Sequence, residues 1–172
     1  MKIDSDDFEL FGLPQQFALE TDAVDSRWRA LQAEVHPDRF VSMGVASQRT
    51  AMQWAVRVDE GHRRLRDPVR RAAYLCELAG TPVDAERNTV MPLGFLQHQM
   101  AWREALDDAA TPAELQALED EVGRYRHNAL AQLEQTIDRN KDWTGAAQAV
   151  RSLMFVERFA SDIDHRMEAL EQ

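Results

Sequence analysis

One cysteine, Cys76, in 172 residues leaves no partner for an intramolecular disulfide and no thiol set for a zinc site, which fits a reducing compartment. Its apolar neighbours Leu75 and Leu78 predict an inert, buried thiol. Seven glycines provide little material for tight hairpins and favour helices. Positive charge is also short. With 20 Lys and Arg against 30 Asp and Glu, the net charge of -10 argues against binding nucleic acid or an anionic membrane, both of which reward cations. Proteins are the expected partners. No stretch is long and apolar enough to span a bilayer, and the opening residues Met1 to Asp7 lack a continuous apolar region, so the expected location is cytoplasmic. The five histidines include no pair at the i,i+4 spacing of a helical metal site, and there is neither a Gly-rich phosphate loop nor a recognisable nucleophile arrangement. The expectation is a protein with no catalytic chemistry of its own, no metal and no cofactor.

What is present is helical periodicity. A short turn over Asp7 to Phe11 stops at Gly12-Leu13-Pro14. From about Asp22, Val24, Trp28, Leu31 and Val35 recur at steps of three and four, one buried helical face that Pro37 ends. After a loop through Gly44, Ala51, Trp54, Ala55, Val58 and Leu65 mark a second long helix, interrupted at Asp67-Pro68. The two predict an antiparallel hairpin. A short helix over 70–78 follows, then stop signals at Gly80-Thr81-Pro82 and a linker over 80–91. Beyond it, Phe95, Gln99, Trp102, Leu106 and Ala109 form a stripe, and Thr111-Pro112-Ala113-Glu114 reads as a capping box opening a helix that buries Leu115, Leu118, Val122, Tyr125, Ala129, Leu133 and Ile137. A polar break over Asp138 to Asp142 precedes a last stripe from Ala149 to Leu170. Three amphipathic helices with short connections predict a bundle, so the whole chain is expected to be all-α.

His36-Pro37-Asp38 lies between the two hairpin helices. Pro37 restricts His36 to extended geometry and fixes its own φ, which presents the loop in one shape at low entropic cost, and Asp38 offers a carboxylate for a charge-assisted pair with an arginine. The other reading of Asp38 is a cap for the next helix, with His36 a solvated loop residue. Phe8-Glu9-Leu10-Phe11-Gly12-Leu13 before the tripeptide, with Leu65-Arg66-Asp67-Pro68 and Arg70-Arg71-Ala72-Ala73-Tyr74 after it, resemble the J-domain pattern over residues 1–79. The resemblance implies that His36, Pro37 and Asp38 contact the ATPase domain and interdomain linker of a DnaK-class chaperone. J-domains usually add a basic face, which only Arg27, Arg29 and Arg39 can supply here, against Glu34.

The second half lacks the Gly/Phe-rich segment and CxxCxGxG motifs of generic DnaJ-like proteins. Phe95-Leu96, Arg103-Glu104 and Leu106-Asp107, then Trp143, Ala146-Ala147, Val150-Arg151, Leu153 and Phe155, resemble the carboxy-terminal domain of the HscB family of iron–sulfur cluster co-chaperones. That resemblance implies a scaffold-binding domain over 92–172, delivery of the scaffold protein IscU to the specialised chaperone HscA, and help in cluster transfer. The family's IscU-contacting positions match Leu96, Gln97, Met100, Ala101, Glu104, Asp108 and Phe155. Gln97 stands for a usual apolar residue and Ala101 for a usual acid, which implies a weaker patch. The amino-terminal Cys-rich extension of some members is missing.

The periodicity itself leaves two readings of this region. Leu96 and Met100 lie beside the core stripe, on a line that runs on through Glu104 and Asp108, and Phe155 lies off the main stripe of the last helix. These residues form either an exposed partner patch or the edge of a wider buried face. For Phe159, core is the better reading. The rival function is a general J-protein serving DnaK on unfolded clients.

Overall fold

The structure, a computed structural model, describes residues 2–172 and consists among them of helices without strands. Two compact units divide it, Met1–Leu75 and Cys76–Gln172.

In the first unit, Asp6 caps α1 (Asp7–Phe11) by accepting the Glu9 N–H at 2.9 Å, and Gly12 ends it at φ 65°, a left-handed turn that suits glycine. Helix α1 buries Phe8 and Phe11 completely enough that Gly61 of α3 is obligatory: a Cβ there would lie 2.9 Å from the Phe11 ring. Helices α2 (Thr21–Val35) and α3 (Val45–Arg66) form the expected antiparallel hairpin, since Asp25 meets His62 and Trp28 meets Asp59. The His62 bond, at 2.8 Å, holds the Asp25 carboxyl below its ordinary range. Trp28 is only half-buried, because its indole N–H reaches Asp59 and its ring stacks on His62 at the helix surface. Asp67 ends α3 and caps α4 (Pro68–Leu78), accepting from the Val69 and Arg70 N–H groups with Pro68 at the first helical position.

Asp7 is fully buried. It is tolerated there because Arg64 grips its carboxylate at 2.6 and 3.0 Å and Arg57 approaches at 2.7 Å, while its backbone N–H donates to the Tyr74 hydroxyl. Buried Arg71 similarly donates to the Phe17 and Leu65 carbonyls. Within the basic cluster at 63–71, Arg64 and Arg71 are thus engaged internally, while Arg63, Arg66 and Arg70 are exposed.

In the second unit, α5 (Phe95–Asp108), α6 (Pro112–Leu133) and α7 (Trp143–Glu171) enclose a core of Phe95, Trp102, Leu106, Leu115, Leu118, Val122, Val156, Phe159 and Ile163. The cap forms with a shift of one residue in its return bond: the Thr111 hydroxyl accepts the Glu114 N–H, while the Glu114 carboxylate accepts the N–H of Ala110 in place of Thr111. The polar break is shorter than expected. A π-helical turn, Glu134–Arg139, carries α6 onward with Ile137 buried, so that the chain leaves helix only at Asn140–Asp142 before Asp142 caps α7 through the Gly145 N–H. Within 80–91, Val83 is buried and Arg151 of α7 donates to the carbonyls of Val83 (2.8 Å) and Val90 (2.9 Å). This segment is thus fastened to α7 within the second unit. Cys76 is buried as expected, and burial pushes its thiol up to about 11, whereas Leu78 is exposed.

Candidate functional site

Two surfaces hold the residues singled out by the sequence, one in each unit. In the first, the backbone leaves α2 at His36 in an extended conformation, φ -59° and ψ 128°, as a residue before proline should. The segment read as a loop is instead a 3-10 helix, Pro37–Met43, which Pro37 opens. His36 caps it, its Nδ1 accepting the Asp38 N–H at 3.2 Å. The cap is therefore the imidazole and not Asp38. The Asp38 carboxylate lies 3.6 Å from the same nitrogen, and its side chain is 86% exposed, so it is open to a cation from outside.

The three arginines do not make one basic face. Arg27 Nε donates to the Phe11 carbonyl at 2.6 Å, which ties α1 to α2, and Arg39 donates to the Ala33 carbonyl near the end of α2. Arg29 is exposed, but a residue two positions from Arg27 lies about 200° around the helix. All three remain exposed, with Arg39 directly after Asp38.

In the second unit, Leu96, Gln97, Met100, Ala101, Glu104 and Asp108 are all exposed on α5. Leu96 and Met100 are each 66% exposed, which decides against the wider buried face. Apolar side chains occupy the first half of this stripe and acids the second. Phe155 departs from the expectation of free exposure. It is half-buried, with its ring edge-on to Phe95 at 5.7 Å and stacked on Phe159 at 5.9 Å, because α7 packs it into the aromatic core. Its accessible part joins Met100, Glu104, Asp107 and Asp108 in a groove of about 570 Å³. Phe159 is core, as read.

Two neighbours escaped the sequence reading. Leu93, two residues before α5, is entirely exposed and lines a separate groove with Tyr125, Ala129 and Leu133. Arg103 lies within the groove, reaches toward Asp162 at 3.5 Å and covers the Phe159 ring. Leu93 precedes the helix, so periodicity could not place it; Arg103 was visible only as part of the resemblance. Among the described residues, no group of three His, Cys, Asp or Glu side chains is arranged to hold a metal, and no helix is long and apolar enough to cross a membrane.

Comparison with known proteins agrees over nearly the whole chain. The family model described as the HSCB C-terminal oligomerisation domain matches residues 91–164. Co-chaperone protein HscB homologs of Burkholderia thailandensis and Burkholderia multivorans are 50% and 47% identical, each over 95% of this chain and 95% of their own. The solved structure of chaperone HscB from Vibrio cholerae is 33% identical, covers 96% of this chain and 99% of its own, and superposes with a TM-score of 0.82. Human co-chaperone HscB, 22% identical over 99% of this chain and 84% of its own, shares the fold at a TM-score of 0.82.

Proposed function

The chain belongs to the HscB family of co-chaperones, with a J-domain followed by a helical carboxy-terminal domain, and on that premise we propose that it is a two-partner adaptor of iron–sulfur cluster assembly. Residues 1–79 stimulate the ATPase of the DnaK-class chaperone HscA. Residues 92–172 bind the scaffold protein IscU and present it to HscA in the cytoplasm, which aids cluster transfer and the maturation of iron–sulfur proteins.

The observation that best supports this reading is the tripeptide itself. His36 and Pro37 lock the turn, and the Asp38 carboxylate is left exposed on it, so a partner's cation can be met without first ordering a loop. The α5 stripe supports the second half of the proposal: Leu96 and Met100 supply apolar anchors and Glu104 and Asp108 a charged flank, the composition of a protein-binding patch. The departures Gln97 and Ala101 lie on this same exposed face, where they dilute both its apolar and its acidic parts.

Asp38→Asn tests the proposal. The change keeps shape and removes charge at an exposed position, so helix content and IscU binding should be retained while stimulation of HscA is lost. Equal stimulation by variant and parent would overturn it.

A further inference from the structure

The 3-10 helix beginning at Pro37 runs for seven residues, although such helices uncommonly exceed three or four. At three residues per turn, side chains three apart eclipse. Pro37, Phe40 and Met43 therefore fall in one row, and Asp38 and Val41 in the next. Phe40 and Met43 form a wall of an open groove of about 530 Å³, with Ala51 and Trp54 of α3 opposite and Val35 of α2 between them. Its polar lining is limited to Glu34, Ser47 and Thr50. Val41 and Met43 are 62% and 65% exposed, an unusual outlay of large apolar surface on a seven-residue segment.

We propose that this groove receives a bulky apolar side chain of the same ATPase partner that meets Asp38, and that Val41 and Met43 determine which DnaK-class chaperone the tripeptide serves. The inference rests on the chaperone-activating reading above. Continuity identifies the occupant. Val35 directly precedes His36 and Phe40 follows Asp38 by two residues, so a surface closing on the tripeptide also closes on the groove. The volume suits one or two large aliphatic side chains. Glu34 lines the groove and Asp38 precedes Phe40 by two residues, so the fitting segment pairs an apolar side chain with cations. A carboxylate alone pairs with any exposed arginine, whereas a shaped apolar cleft rewards one partner and leaves another's polar groups unpaired.

The test uses the full chain with two variants at exposed positions, Val41→Ser combined with Met43→Ser, and separately Thr50→Trp, which fills the cleft. Thermal unfolding verifies that both fold. ATPase stimulation is titrated against HscA and against DnaK. For HscA, the co-chaperone concentration giving half-maximal stimulation should rise roughly tenfold in each variant, as expected when one interface anchor is lost, while stimulation at saturation is retained. The preference for HscA over DnaK should shrink by a similar factor. An unchanged half-maximal concentration, or an equal loss toward both chaperones, would overturn the inference while leaving the role of Asp38 intact. A parent that stimulates neither chaperone, or is indifferent to Asp38→Asn, would overturn the underlying reading and this inference with it. Sedimentation of the parent as a dimer that both variants dissociate would assign the groove to a second copy and overturn the inference as well.

Discussion

The His36 imidazole accepts the backbone N–H of Asp38 at 3.2 Å, so the first residue of the tripeptide fixes the backbone of the third. His36 is thus a cap, and on the proposed reading a contact surface as well. His36→Gln should lower stimulation of HscA at least tenfold, while the loss of one exposed cap costs only about 0.5 to 1 kcal/mol of stability. Circular dichroism and ATPase titration on the same preparation check this. Full stimulation by the variant would show that the ring has no part in the contact.

The α5 patch divides by burial. Leu96→Ala with Met100→Ala should leave the thermal midpoint nearly unchanged, because both side chains are exposed, and should weaken IscU binding by about 1 to 3 kcal/mol per anchor. Phe155→Ala should behave differently. Its ring packs on Phe95 and Phe159, so its loss should cost about 2 kcal/mol of stability in addition to any affinity. Calorimetric titration with thermal unfolding separates the two; unchanged IscU affinity in the folded double variant would remove Leu96 and Met100 from the site.

Arg151 makes the placement of a domain cut consequential. A fragment of residues 76–172 retains the Val83 and Val90 carbonyls that its guanidinium binds, whereas one starting at residue 85 loses the first and with it buried Val83. The longer fragment should therefore unfold at higher urea, by about 1 to 3 kcal/mol, since a buried charged donor is left unsatisfied in the shorter one. Both should bind IscU without stimulating HscA. Equal urea midpoints would show that Arg151 contributes nothing through Val83.

Burial pushes the Cys76 thiol up to about 11, while in the unfolded chain it ionises in the ordinary range, near about 8.5. Between those values the unfolded state releases the proton first. Stability should accordingly fall as pH rises through that window, and part of the fall should vanish in Cys76→Ala. Tyr74, also raised by burial, acts in the same direction at higher pH. At pH 8 the native thiol should resist a thiol-reactive dye and react fully in urea. Rapid labelling of the native protein would contradict the assigned burial.

Much of this was legible because it is periodic. Val24, Leu31 and Val35 and the stripe from Leu115 to Ile137 recur at helical spacings, and they are buried as read except for Tyr125 and Ala129, which are partly buried; the Thr111–Glu114 cap is bonded. The 3-10 helix was not legible: Pro37, Phe40 and Met43 give a three-residue period for barely two turns, which reads as a loop. Nor could spacing show that Arg27 reaches the Phe11 carbonyl, or that Phe155 packs edge-on to Phe95, since those partners come from other helices. In the α5 patch, the apolar-then-acidic order was visible, but its exposure depended on which side of α5 meets α6 and α7.

The most direct test of the adaptor account is a side-by-side measurement of HscA and DnaK ATPase rates with the full chain, with and without IscU. The account predicts strong stimulation of HscA that rises further with IscU, weak stimulation of DnaK that IscU leaves unchanged, and loss of both with Asp38→Asn. Equal stimulation of the two chaperones with no response to IscU would contradict it and assign the chain to general J-protein work.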